Sequence, residues 1–399
     1  MIRWSRPLLC FRVARREFRA ISHSYAVLLV LVGGVFFYGL LYNYMYAPNV
    51  VREVPITVVD HSHTALSRHY IRLIDATPEI AVYSYTEDMY AAKDQMLHGE
   101  VFGVLYLPRD FEQQMFRGEE SVFPFYASTD AFLYYEALEK ANLQVMEAMD
   151  GMYRMQLVEF LTPQELLAVA SRQAVEVVGT ALYNPDEGYG IYLIPSVLMI
   201  IVFQTLMMLV AMMTGNECKN RLLIPYSRLK CDRNHVAMSL VCGKSMVYFS
   251  LYGIFSFFLV GLLPLVFNIP HKASLGVLAV MLIPYICATS FLGLTLSRWY
   301  TDAEAPILGI AFFSIGLIFL SGVSYPLELM PWYWQAVHCI IPAAPAVLAF
   351  VKLNSMEASL TDVHSELLIL YAQTIIYFFL AVAVYKDKLQ QEDTNYKHS

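Results

Sequence analysis

Six long runs free of charged residues punctuate the chain, at 25–46, 191–213, 245–267, 274–297, 305–323 and 367–385. Coiled into helices, they are long enough to cross a hydrocarbon layer about 30 Å thick. Between the first two runs the pattern changes. Short β-branched or aromatic segments at 55–60 (PITVVD), 81–86 (AVYSYT), 101–107 (VFGVLYL) and 122–127 (VFPFYA) suit strands. Helical spacing occupies 67–75, 87–98 and 109–117, and returns over 131–161 and 163–182. Thr162, Pro163 and Glu165 read as the cap, first-turn proline and early acid that open the last of these helices. The predicted fold is a polytopic α-helical membrane protein with six transmembrane helices and an inserted extracytoplasmic α+β domain between the first and second spans, a small sheet on helical stalks.

The positions of the basic residues orient this arrangement. Arg3, Arg6, Arg12, Arg15, Arg16 and Arg19 precede the first run, and Lys219, Arg221, Arg228, Lys230, Arg233 and Lys244 fill the loop after the second. The short loops of opposite parity hold only Lys272 and Lys352. The positive-inside rule then puts both termini in the cytoplasm and 47–189 outside. The first run is too long for a signal peptide and has no small-residue cleavage site, so it reads as a retained anchor.

Composition excludes whole classes of function. Of 399 residues, 57% are hydrophobic and 15% charged, with a mean hydropathy of +0.48, whereas a soluble globular chain carries about 25% charge. The net charge of -7 offers no basic footprint for nucleic acid. Six cysteines, none between 46 and 190, supply no disulfide framework for the outside segment.

Transport coupled to protons requires an ionisable group at membrane depth, which costs about 2.5–3.5 kcal/mol on insertion scales and is kept only for function. None of the six runs has one: Asp302, Glu304 and Glu366 fall at their ends. The energy source therefore lies outside this chain. An intramembrane enzyme would need a convergent reactive set, yet the polar side chains in the runs are of the kind of Gln204, Thr205, Thr289, Ser290 and Thr295, which commonly bond across helix pairs.

Gly243-Lys244-Ser245 ends like a phosphate-binding loop, but the glycine needed five positions earlier is Met238, so Lys244 reads as a basic anchor at the membrane surface. Asp60, His61 and His63, with His69 or His98, contain metal-ligand types; a polar turn is the simpler reading, since no cysteine or second acid completes the set. Cys218, Cys231 and Cys242 are too widely spaced for paired ligands. Pro195, Pro264, Pro284 and Pro306 serve either as kinks packed by neighbours or as hinges.

Several segments together resemble the ABC-type exporter permeases of the type 2 membrane family, in the drug-efflux branch with a large periplasmic domain. Arg16-Glu17-Phe18-Arg19 is similar to that family's amphipathic entry helix, ITVVDHSHTALSRHYIRLIDATPEI and GVLYLPRDFEQQMFRGE to its outside-domain signatures, and Ser321-Gly322 with Tyr325 to Pro331 and Trp334 to its most distinctive run. Gly243-Lys244 fits its Gly-Lys at the start of the third span. One departure is TGNECKNRLL at 214–223, which keeps Glu217 and Arg221 but lacks the family's Gly-Thr pair, leaving the coupling geometry there open.

The resemblance implies an entry helix (1–24), a first span (25–46), the outside domain (47–189), a five-span domain (190–385) with a cytoplasmic coupling loop (214–244) and a re-entrant segment (321–345), and a cytoplasmic tail (386–399). It implies a multi-pass protein of the bacterial inner membrane with no catalytic, cofactor or metal residues of its own. ATP is bound by a cytoplasmic ABC ATPase dimer. A second permease copy or paralogue completes the pore, and a periplasmic membrane-fusion adaptor is a further partner in relatives. Coupling to the ATPase falls on Glu17, Phe18, Glu217 and Arg221. Ser321, Gly322, Pro326, Leu327, Met330, Pro331 and Trp334 form an outer gate, against which stands an interfacial loop with an aromatic belt. The expected cargo is hydrophobic or amphipathic, a drug or a lipid-like molecule.

Overall fold

The computed structural model describes residues 6–46, 50–113, 124–127, 132–158, 188–229, 231–267 and 271–398. The chain divides into two compact units, Met1–Ala47 with Gly190–Ser399, and Pro48–Tyr189.

The helical unit begins with α1 (Arg6–Ser22). Leu9, Val13, Glu17 and Ile21 recur every four residues and are buried, while Phe11 and Phe18 are exposed. That spacing makes one stripe down a helix, and its only charged member is Glu17. Helix α2 (Tyr25–Met45) follows, with a π-helical stretch at Leu29–Phe37.

The inserted unit runs β1 (Val54–Asp60), α3 (Ala65–Asp75), β2 (Ile80–Tyr85), α4 (Met89–Leu97), β3 (Gly103–Leu107), β4 (Phe125–Ala127) and α5 (Phe132–Val158). The strands lie in the order β2-β1-β3-β4, with β1 parallel to β2 and β3, and β4 antiparallel to β3. Alternation in β1 sorts its side chains. Val54, Ile56 and Val58 join Ile74, Leu105 and Leu138 in the main core, while Val59 meets Val104 and Ala92 on the other face. The runs read as strands in the sequence therefore form one small mixed sheet. The helix expected at 163–182, and most of that expected at 109–117, lie outside the described residues.

The histidine motif resolves into a cap. Asp60 accepts hydrogen bonds from the backbone N–H of Ser62 (2.9 Å) and His63 (3.1 Å) and from the Ser67 hydroxyl (2.8 Å). Thr64 and Ser67 close a reciprocal capping box at the start of α3. His61 spends its Nε2 on the Glu87 carbonyl at 2.8 Å. Among the described residues, no three His, Cys, Asp or Glu side chains converge as metal ligands do.

The helical unit continues with α6 (Tyr189–Lys219), α7 (Arg233–Val266), α8 (Leu275–Leu296), α9 (Ala305–Ile315), α10 (Trp332–His338), α11 (Ala343–Asn354) and α12 (His364–His398). Helix α6 is the central element; Leu198, Val202, Leu206, Leu209 and Val210 are buried among its neighbours.

Among the described residues, five helices are long and apolar enough to cross a membrane, or six if α10 and α11, bent by 83° at the break between them, count as one span. The expected fifth span at 305–323 is divided. It forms α9 and a short turn of helix at Leu317–Leu320, separated at Gly316. The helices run past the expected spans: α6 continues from 213 to Lys219, α7 starts at Arg233, before 245, and α12 continues from 385 to His398. Each extension carries charge that finds a partner inside the unit, so the helix does not stop where hydropathy falls.

Candidate functional site

Four helices meet at a buried cluster of charge. Glu17 comes from α1, Glu217 from α6, Lys244 and Tyr248 from α7, and Tyr385 from α12. The Lys244 ammonium lies 3.1 Å from both Glu17 oxygens and 3.2 Å from Glu217 Oε2. Arg16 donates to Glu217 Oε1 at 2.6 Å and to the Leu222 carbonyl at 3.2 Å. The Tyr248 hydroxyl donates to Glu17 at 2.5 Å, and that of Tyr385 to Glu217 at 3.2 Å. Lys244 is 0% exposed and both carboxylates 2%.

Two cations balance two anions, and phenolic hydroxyls occupy further lone pairs, which is the condition under which buried charge is tolerated. Burial acts to lower the pKa of Arg16, but the facing carboxylate of Glu217, with Tyr226 and Glu17, more than offsets it and holds the value raised. The Arg16 guanidinium also sits 4.9 Å from the centre of the Tyr226 ring.

Close backbone approach makes the cluster possible. A Cβ at Gly243 would stand 2.6 Å from the Cys10 carbonyl oxygen and 2.8 Å from Val13 Cβ, so only glycine lets α1 reach α7 one residue before Lys244. Gly215, two residues before Glu217, faces the segment after α8 in the same way, since its Cβ would lie 2.2 Å from the Asp302 carbonyl oxygen. Lys388 lies beside Tyr385, with its ammonium 3.0 Å from the Ser297 hydroxyl and 5.5 Å from the centre of the Tyr385 ring.

A second polar arrangement holds the α10–α11 break. Gln373 of α12 donates to the Cys339 carbonyl at 2.8 Å, and the Tyr377 hydroxyl donates to that of Ile340. His338 Nδ1 donates to the Leu320 carbonyl at 2.9 Å, and Gln335 to those of Leu327 (3.2 Å) and Met330 (2.9 Å). Backbone carbonyls released by a broken helix need such partners wherever water is scarce. Of the sequence motif, Ser321 is buried, Gly322 takes a φ of 86°, and Pro331 opens α10. Trp334 is 50% exposed. Replacing Gln373 with Leu removes one donor from this break and is expected to cost about 1–3 kcal/mol. A lower thermal midpoint and faster thiol labelling of the exposed Cys339 measure it; unchanged values for both would show that the break does not depend on α12.

A family model described as ABC-2 family transporter protein matches residues 25–383. The chain belongs to the ABC-2 transporter family. An ABC-2 protein of this kind is the permease component of an ABC transporter, and the family implies partnership with an ABC ATPase. Neither a curated protein nor a solved structure matches the chain.

In this ABC-2 permease the four residues singled out for coupling separate into two pairs. Glu17 and Glu217 converge within the cluster, where both are buried. Phe18 points away, 53% exposed, and Arg221 is exposed in the turn after α6, with a left-handed φ of 48°. Lys244, read from the sequence as an anchor at the membrane surface, is instead the buried centre of the cluster, because Gly243 brings the Glu17 carboxylate within its reach. Sequence reasoning missed Arg16, Tyr248 and Tyr385. Two signals were present: the Arg16-Glu17 doublet on a helix with one apolar stripe, and Tyr248 one turn after Lys244 on the same face.

Proposed function

We propose that this ABC-2 permease is half of the translocation pathway of an ATP-driven exporter in a bacterial inner membrane, with both termini cytoplasmic, pairing with a second permease chain and served by two ABC ATPases. The single observation that favours this reading is the buried cluster, which ties α1, α6, α7 and α12 at the end of the helical unit where the basic residues gather. A push on α1 or on the turn after α6 would reach all four helices together, because their buried charges pair with one another.

The docking contact falls on the exposed pair, Phe18 and Arg221, with the cluster behind it as the transmitting joint. The α10–α11 break then forms the outer gate. The cargo is a hydrophobic or amphipathic molecule, consistent with the apolar surfaces of the spans, and ATP is bound by the partner alone. The inserted unit offers a surface to a periplasmic adaptor.

Affinity purification of the tagged full chain from its own membranes tests the reading. An ABC ATPase is expected to copurify, with recovery reduced several-fold by Phe18→Asp and by Arg221→Glu. Equal recovery from both variants would place docking elsewhere. Absence of any ATPase from every preparation would remove the ATP-driven reading.

A further inference from the structure

Between α7 and α8 lies a cavity of about 170 Å³ whose walls are apolar except at Ser256. On α7 the lining extends from residue 249 to 261, about 18 Å along the helix axis. Small residues keep it open. Gly253 and Gly261 line one wall and Ala279 the other, and a Cβ at Gly253 would meet nothing within 4 Å.

Ser256 is 0% exposed, and its hydroxyl has no hydrogen-bond partner among the described residues. A buried hydroxyl without a partner carries the penalty of an unmade bond, which a ligand with an acceptor relieves. Water is a poor candidate, because a buried water needs about two to four polar partners and this lining has one to offer. A protein helix is excluded by size, since its diameter with side chains is about 10–12 Å and the space lies between two neighbouring helices. Both walls belong to helices long and apolar enough to cross the membrane, so hydrocarbon is the surrounding medium.

We propose that this slot binds a single hydrocarbon chain bearing one hydrogen-bond acceptor, which accepts from the Ser256 hydroxyl. On the exporter reading above, on which this identification of cargo rests, such chain-bearing amphiphiles are the transported class and enter sideways from the bilayer.

Quenching of a tryptophan reporter tests the slot in the full chain. The Phe257→Trp protein is reconstituted in dioleoylphosphatidylcholine nanodiscs and titrated with methyl 12-bromododecanoate, and separately with a bromoalkane of equal length. Signal from the protein without the reporter is subtracted. Saturable quenching is expected, with the ester bound about two- to tenfold tighter than the alkane, the range of one net hydrogen bond. Ser256→Ala should bring the two ligands to equal affinity. Gly253→Leu should abolish saturation, and Ala279→Leu closes the opposite wall should the first variant fail to fold.

Linear quenching in every protein, or saturation surviving both filled variants, overturns the slot. A wild-type slot indifferent to the ester overturns the role of Ser256. Saturable binding without ATP-dependent export of the ester from vesicles that also hold the ATPase supports the slot and removes the exporter reading. Export without saturable quenching does the reverse.

Discussion

Replacing Lys244 with Met is expected to destabilise the helical unit by about 3–5 kcal/mol, the cost of removing one partner from a buried ion pair. The loss leaves Glu17 and Glu217, each 2% exposed, facing one another across the vacated space with Arg16 as the remaining cation, and of the two carboxylates it is Glu217 that Arg16 bonds, at 2.6 Å. Thermal unfolding of the purified full chain measures the effect. A second variant, Lys244→Met with Glu17→Gln, removes the charge from both partners and should recover much of the loss, because a neutral amide leaves no uncompensated charge. Equal midpoints for wild type and Lys244→Met would mean that water reaches the cluster in solution.

Gly243→Leu is expected to act through shape alone, with a cost of about 1–3 kcal/mol or more, as for overpacked interiors. The new Cβ would press on the Cys10 carbonyl oxygen from 2.6 Å and on Val13 Cβ from 2.8 Å, and a backbone oxygen cannot rotate aside. Helix α1 must then lift from α7, which lengthens the 3.1 Å contacts between Lys244 and Glu17. Proteolysis at the N-terminal helix should accelerate along with the fall in thermal midpoint. Gly276→Ala is the control: it sits in α8 with nothing within 4 Å of the added carbon and should stay within about 0.5 kcal/mol of wild type.

The apolar runs and the alternating segments announced the helices and the sheet because hydrocarbon length and strand periodicity are local properties. Helix ends were less legible. A charge beside an apolar run reads as the boundary of a span, yet the helices of Glu217 and Lys244 continue past them, and the two side chains meet there. Lys244 and Glu17 are 227 positions apart, and no local pattern reveals that contact. Gly243 was visible in the sequence, but its meaning lies in the carbonyl of Cys10 on another helix. The break at Gly316 was hidden for the opposite reason, since a glycine inside an apolar run leaves the hydropathy almost unchanged. Phe18 and Glu17, adjacent in sequence, are turned about 100° apart around α1, which is enough to expose one while the other is buried.

Helix α12 is one uninterrupted rod of 35 residues, about 52 Å long. At one level it clasps the Cys339 and Ile340 carbonyls through Gln373 and Tyr377, and twelve residues after Gln373, about 18 Å further along, Tyr385 grips Glu217. Beyond that, Asp387 and Asp393 pin it to Arg298 (3.1 Å) and Arg233 (2.7 Å). A shaft clamped at both levels cannot slide at one and stay still at the other. Any axial shift that draws Tyr385 along with Glu217 pulls on the carbonyls at the bend by a similar amount, so either those hydrogen bonds break or the bend travels with the shaft.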